Sequence, residues 1–303
     1  MRVRMLRSLV PGARWRWLAS ALWLGLTAGA PASAVEIAAS ADGAAARPPV
    51  EISVLTYNTH GLPAWIAGDD PAARYPKILA KAEAYDVVLL QEDFAHQPVV
   101  DAHARHQRIV RGNGPRRAWP LHHGSGLTLL THFEAAAQAV SATYGICHGW
   151  LGAANDCFAE KGFLAKRLAL PNGAELDVWN THLDAGDADG DHAARVAQLE
   201  RLAREIGAKS AGRPLVVGGD FNLRWDDPRD RALLDGWLES LGLALAAVAP
   251  AGTWASRIDY LFYRGAPGTD LEVLGGGKTC EFIGPRGEPL SDHPAVFARF
   301  RVR

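Results

Sequence analysis

The sequence predicts an α/β fold in which two mixed β-sheets pack together with helices outside. Three observations carry that prediction. Short continuous apolar runs at 86–90 and 214–217 suit strands buried on both faces. The runs at 163–170 and 175–181 are joined through Pro171-Asn172-Gly173, a hairpin signal that a purely parallel sheet does not use. Segments with a 3.6-residue apolar period alternate with these strands and call for outer helical layers.

Taken in order, residues 52–57 form a β-type run that ends at Asn58. A loop with Gly61, Pro63, Gly68 and Pro71 follows. Residues 74–84 read as a helix with Ile78, Leu79 and Ala82 on one face. Strands are expected at 86–90, 126–131, 163–170 and 175–181. Residues 191–208 read as a helix striped by Val196, Leu199, Leu202, Ala203 and Ile206, with Arg195, Glu200 and Arg204 off the stripe. A buried strand at 214–217, a helix at 229–241 and late strands at 257–263 and 294–302 complete the pattern.

The chain has 303 residues. Its first 34 read as a secretory signal: Arg2, Arg4, Arg7, Arg14 and Arg16, an apolar run at 17–30, then the small-residue site Ala32-Ser33-Ala34. That run is shorter than the roughly 20 residues a membrane span needs. An uncleaved anchor is the alternative. The signal implies a secreted or periplasmic protein. Residues 35–50, rich in alanine with serine, glycine and proline, read as a disordered lead-in, which leaves one large domain at 51–303. The whole chain has a net charge of −1; the signal removes five arginines and no acid, leaving 27 basic against 33 acidic residues. An acidic surplus argues against binding nucleic acid through its phosphate backbone. Cys147 and Cys157 lie ten residues apart and suggest a local disulfide with Cys280 left over; three free thiols are the alternative. No Cys-x-x-Cys spacing supports zinc.

The chemistry is concentrated in five polar motifs, most of them at the ends of apolar runs: Tyr57-Asn58-Thr59-His60-Gly61, Leu90-Gln91-Glu92, Asn180-Thr181-His182-Leu183-Asp184, Gly219-Asp220-Phe221-Asn222 and Ser291-Asp292-His293. Strand ends are where α/β proteins gather ligands. Glu92 offers a carboxylate suited to magnesium, which takes few protein ligands and keeps waters. Asn58 can meet a metal-bound water or a phosphate, or serve only as a turn residue. His182 can donate to a phosphoryl oxygen, or be a structural imidazole. Asp220 and Asn222 alternate on extended chain, so both can face one side and bind metal, orient water or hold a phosphate oxygen. Asp292-His293 supplies a carboxylate–imidazole pair for proton transfer, and Asp259 is a second acid for orienting that imidazole. The acidic stretch 184–191 fails as a calcium loop, because placing Gly190 sixth leaves Ala185 first and Val196 twelfth. It reads as a solvated loop in which Asp189 or Asp191 caps the next helix.

Together, Tyr57-Asn58, Gln91-Glu92, Thr181-His182-Leu183, Gly219-Asp220-Phe221-Asn222, Ile258-Asp259-Tyr260 and Ser291-Asp292-His293 resemble the endonuclease/exonuclease/phosphatase (DNase I-like) superfamily over residues 52–302. The resemblance implies a four-layer α/β sandwich and makes 51–303 a catalytic domain of that type. It implies that Glu92 and Asn58 hold magnesium, for which manganese or another divalent ion can substitute, with Asp292 beside the metal. Asp220 and Asn222 would position water and phosphate. Asn58, His182 and Asn222 would contact the substrate. His293 would be the base, or a further phosphate or metal contact, oriented by Asp259. Members of the superfamily assign the base to the residue matching Asp220 or to that matching His293. An imidazole titrates nearer neutral pH, which favours His293.

Asn58-Thr59-His60-Gly61-Leu62-Pro63 resembles the opening of sphingomyelinase-like members, as does Lys161-Gly162-Phe163 beside a cysteine pair. The nuclease branch often has an acid two residues after the asparagine, where this chain has His60. The expected function is therefore that of an exported, magnesium-dependent phosphoesterase. It would hydrolyse a phosphodiester by in-line attack of water, on sphingomyelin or another phospholipid. A secreted nuclease and an inactive lipid- or phosphate-binding domain are the alternatives. The expected partner is a lipid head group, with transient membrane-surface contact through the apolar loop 62–66, although Trp65 as core is the other reading. Nucleic acid is disfavoured and a monomer is expected. No long aromatic hairpin lies between Asp259 and Asp292, so strong membrane lysis is not expected.

Overall fold

The computed structural model describes residues 47–114, 124–150, 156–246 and 257–303. The signal segment and residues 35–46 of the lead-in lie outside the described residues. In chain order the elements are β1 (Val50–Asn58), α1 (Ala64–Ala67), α2 (Pro71–Ala82), β2 (Val87–Gln91), α3 (Gln97–His103), β3 (Arg108–Arg111), β4 (Thr128–Thr131), β5 (Glu134–Ala135), β6 (Val140–Thr143), β7 (Gly162–Ala169), β8 (Glu175–His182), α4 (Asp189–Lys209), β9 (Leu215–Asp220), α5 (Pro228–Leu241), β10 (Ala244–Leu245), β11 (Asp259–Arg264), β12 (Leu271–Lys278) and β13 (Val296–Val302). Val50, at the end of the expected lead-in, already pairs with Val302.

One sheet has the order β12-β13-β1-β2-β4-β3. The other runs β10-β11-β9-β8-β7-β5, with β6 also on β7. Both are mixed: β1–β2 and β8–β9 pair in parallel, and the expected β7–β8 hairpin is antiparallel.

Side-chain alternation explains the layers. Along β1 and β2, Ile52, Val54, Val87 and Leu89 enter the core between the sheets, where they meet Leu164, Leu176, Val178, Val216 and Leu261 of the second sheet. Their neighbours Leu55, Tyr57, Val88 and Leu90 face the other way, onto Tyr75, Ile78 and Leu79 of α2 and Val100 of α3. On the second sheet, Trp179, Leu215 and Val217 pack under Leu199, Leu202 and Ile206 of α4 and Leu234 and Trp237 of α5. The result is helix–sheet–sheet–helix, the four-layer sandwich expected.

Strands buried on both faces have no apolar face to fix their register, so polar ties become important. Gln91 donates to Asn180 Oδ1 at 2.7 Å and to Thr56 Oγ1 at 3.0 Å; Asn180 donates to the carbonyls of Leu90 and Thr128. This buried amide pair pins one sheet to the other near the strand ends.

The helices begin where their caps dictate. α2 starts earlier than the 74–84 expected, because Asp70 accepts from the Ala73 N–H and Pro71 follows as the first helical residue. Asp227 caps α5 through the Arg229 and Asp230 N–H groups. The expectation of a solvated 184–191 loop is corrected in part. Asp187 and Asp189 are exposed, but Asp184 and Asp191 are buried. Asp184 accepts from the His148 N–H, and Asp191 pairs with the His148 ring. Asp191 does cap α4, accepting from the Ala188 N–H from within the first turn. Cys147 and Cys157 form a disulfide, and Cys280 is free. Among the described residues no helix is long and apolar enough to cross a membrane.

Candidate active site

The two parallel pairs deliver the polar motifs to one edge of the sandwich. Asn58 stands opposite Gln91 in the first sheet and His182 opposite Asp220 in the second. β11 joins antiparallel to β9, with Asp259 opposite Asp220. Across the sheets, Asn58 Nδ2 donates to Asp220 Oδ2 at 3.0 Å and to Glu92 Oε1 at 3.2 Å. Before Asp220, Gly219 has φ of +151°, and a Cβ there would lie 1.9 Å from the carbonyl oxygen of Thr181 on the adjacent β8, so only glycine fits.

His182 Nε2 lies 3.4 Å from Asp220 and 3.9 Å from Glu92. Asn222 sits in left-handed backbone (φ +50°), its N–H donating to Asp220 Oδ1 and its amide to the Leu183 carbonyl. His293 Nδ1 donates to Asp259 Oδ2 at 2.8 Å, while its Nε2 is 3.8 Å from Asp220. The structure thus groups Asn58, Glu92, His182, Asp220, Asn222, Asp259 and His293. Asp292 adjoins the group through a different partner: its Oδ2 is 2.7 Å from His60 Nδ1 at a half-exposed position.

The electrostatics follow from burial and pairing. Burial opposes ionisation of Asp220, but His293, His182 and the Asn58 amide outweigh it and hold the carboxyl well below the usual range. Burial, helped by Asp220, pushes Asp259 up against the pull of His293. Burial alone would lower His293; the Asp259 and Asp220 carboxylates overcome it and raise the imidazole strongly. The hydrogen bond to Asp292 raises His60.

Lys161 was read from sequence only as a branch marker, not as a site residue. It is buried, with Nζ 2.9 Å from His182 Nε2 and 2.9 Å from Asp156 Oδ1. Burial alone would lower it, but Asp156 and Glu92 hold it above its ordinary value, so it stays charged. The signal lay in the hairpin: Gly162 opposite His182 places Lys161 beside that imidazole, and counting back from the Asn172-Gly173 turn finds it. Asp93 was also missed. It is buried next to Glu92, paired with Arg111 at 2.7 Å and accepting from Thr128.

The donor set fits a hard divalent cation. Glu92 (side chain 17% exposed) reaches the edge where water has access, and it sits in left-handed backbone (φ +60°). One atom each of Asp220, Asp259 and His293 lie within 4.8 Å of one another, and Asp259 Oδ1 is buried without a hydrogen-bond partner. Carboxylates, an amide, two imidazoles and a buried ammonium lie together on one edge, a chemistry that can meet a cation and an anionic oxygen group.

The fold and this edge define a two-sheet α/β sandwich with its polar residues gathered at the strand ends. The chain belongs to the endonuclease/exonuclease/phosphatase family, whose model matches residues 55–293. A sphingomyelinase of Mycobacterium tuberculosis is 31% identical over 264 residues, covering 81% of this chain and 52% of that protein. The same holds for a sphingomyelinase of Mycobacterium bovis, so the chain spans about half the length of the curated relatives it matches. Among solved structures, sphingomyelinase C from Streptomyces griseocarneus has a TM-score of 0.61 at 20% identity, over 82% of this chain and 99% of that one. A beta toxin variant from Staphylococcus aureus with bound magnesium ions has a TM-score of 0.61 at 14% identity, with the same coverage.

Proposed function

We propose that this protein is an exported, magnesium-dependent phosphodiesterase that hydrolyses a phospholipid head group, with sphingomyelin as the substrate to test first. The observation that carries the reading is the convergence of Asn58, Glu92, His182, Asp220 and His293 on one edge in a chain 31% identical to sphingomyelinases. Export rests on the composition of residues 1–34.

Glu92 and Asn58 would hold the cation, with Asp292 close by, and Asp220 and Asp259 offer further oxygens. When bound, the ion neutralises charge on the phosphoryl and leaving oxygens. The chain's own groups do the rest. Asp220 and Asn222 orient the attacking water, and His182 and Lys161 face the phosphoryl oxygens. The water oxygen bonds to phosphorus as the bond to the leaving oxygen breaks. His293 takes the proton from the attacking water, with Asp259 fixing the ring, and the leaving oxygen on the opposite side takes its proton from solvent. In the metal-free protein Asp259 and Asp220 raise the His293 imidazole, and bound positive charge would offset that rise.

Trp65 (75% exposed) and Ile66 on α1, just beyond the His60 loop, supply the apolar contact with a lipid surface. The test offers the purified protein with magnesium four substrates: sphingomyelin, a phosphoinositide, plasmid DNA and bis(p-nitrophenyl) phosphate. Choline phosphate release from sphingomyelin supports the reading. DNA nicking without lipid hydrolysis would replace it with a nuclease, and binding without turnover would leave a recognition domain.

A further inference from the structure

Arg74 and Tyr75 are neighbours on α2; Tyr75 packs in the core beneath β1 and β2, and neither residue has a part in the chemistry above. We propose that they form a positioning device that holds three site-bearing loops to one helix. Arg74 Nη1 donates to the carbonyls of Thr59 at 2.8 Å and Leu290 at 2.7 Å, and Nη2 donates to the His60 carbonyl at 2.9 Å. Asp69 pairs with Nε at 2.6 Å, and the side chain is only 11% exposed. The Tyr75 hydroxyl bonds Thr59 Oγ1 at 2.7 Å and meets the Glu92 carbonyl at 3.3 Å.

One guanidinium therefore spans the loop after β1, which follows Asn58 and carries His60, and the loop before β13, which carries Asp292 and His293. Tyr75 adds the loop after β2, which carries Glu92. Two of the carbonyls gripped belong to His60 and Glu92, non-glycine residues in left-handed backbone with φ of +47° and +60°. Such residues persist where their surroundings over-determine them. Gly61 closes the arrangement, since a Cβ there would lie 2.2 Å from the Glu92 oxygen and 2.3 Å from the Tyr75 hydroxyl. Ser291 Oγ donates to the Asn58 carbonyl at 2.7 Å, a second tie between the outer two loops. A planar fork can meet three carbonyls at fixed angles; the single ammonium of lysine cannot. Charge is thus not the whole requirement at position 74.

The inference rests on the hydrolase reading only for its kinetic readout. The experiment compares the full chain with Arg74→Lys, Arg74→Ala and Tyr75→Phe. Amide hydrogen exchange is followed at residues 59–60 and 293, with magnesium affinity measured by calorimetry and turnover on a soluble phosphodiester. In Arg74→Lys, exchange should rise about tenfold or more in both loops while the thermal midpoint stays near that of wild type. Magnesium affinity should fall about 10- to 100-fold, with kcat falling alongside it, the usual effect of losing a group that orients metal ligands. Added methylguanidinium should restore part of the kcat of Arg74→Ala. Faster exchange in only one loop, or magnesium affinity within twofold of wild type in a folded Arg74→Lys, would overturn the proposal. If Arg74→Ala does not fold, Arg74→Lys decides. If wild-type protein cleaves no phosphodiester, the hydrolase reading fails and the exchange data alone judge the clamp.

Discussion

Replacing Asp259 with asparagine tests the proton-transfer geometry. The carboxylate accepts from His293 Nδ1 at 2.8 Å, with both groups largely buried. Two unit charges at that distance interact by ~6 kcal/mol at an effective dielectric constant of about 20. The imidazole is raised from 6.5 to about 10: burial works against the rise, and Asp259, then Asp220, produce it. Such a rise corresponds to ~5 kcal/mol, shared with Asp220 and Asp292. Asparagine keeps the size of the side chain but removes the charge and can present an N–H to Nδ1, favouring the wrong tautomer. The His293 pKa, followed by NMR in metal-free protein, should therefore fall by about one unit or more. With magnesium, kcat should fall on the order of 10²- to 10⁴-fold, ~3–5 kcal/mol of barrier. An unmoved His293 resonance together with kcat within threefold of wild type would refute the assigned pairing.

The same pair makes a stability prediction. A histidine raised by folding contributes stability that is fully present below its unfolded pKa of 6.5 and is lost as pH rises through about 10. Metal-free protein should thus lose stability between pH 7 and 9, at up to ~1.4 kcal/mol per pH unit from this group. Urea titrations of His293→Gln should show a flatter dependence; an unchanged slope would contradict the linkage. Gln91→Leu strands the buried Asn180 carbonyl oxygen and should cost about 1–3 kcal/mol by denaturant unfolding, more than an exposed substitution would. Trp65→Ser with Ile66→Ser should weaken sedimentation with phosphatidylcholine–sphingomyelin vesicles severalfold while leaving turnover of a soluble phosphodiester unchanged. Equal vesicle binding would remove α1 from the lipid-contact role.

Much of the fold was legible because its strands are short, apolar on both faces and end in polar residues. β1, β2, β8 and β9 announce themselves this way, and the Asn172-Gly173 turn fixes the β7–β8 hairpin. β12 did not, because Gly275-Gly276-Gly277 removes the β-branched signal and pairing with β13 supplies what local propensity lacks. β3, β5, β6 and β10 are two to four residues long, too short to show a period. Site residues at strand ends were readable one by one, but their neighbours across strands were not. Lys161 reaches His182 through hairpin register, and Arg74 reaches Leu290 across 216 residues of chain. The buried Asp184 escaped for a similar reason: its partner His148 comes from the disulfide loop, which no local pattern connects to it.

The most direct test is hydrolysis of sphingomyelin in ¹⁸O-water by wild-type protein and by Glu92→Gln, each with magnesium and with EDTA. The expected result is magnesium-dependent release of phosphocholine carrying one heavy oxygen on phosphorus, abolished by EDTA and reduced on the order of a hundredfold or more in a folded Glu92→Gln. Release that persists in EDTA, or Glu92→Gln turning over at the wild-type rate, would contradict a metal-dependent site built on the ends of β1, β2, β8 and β9.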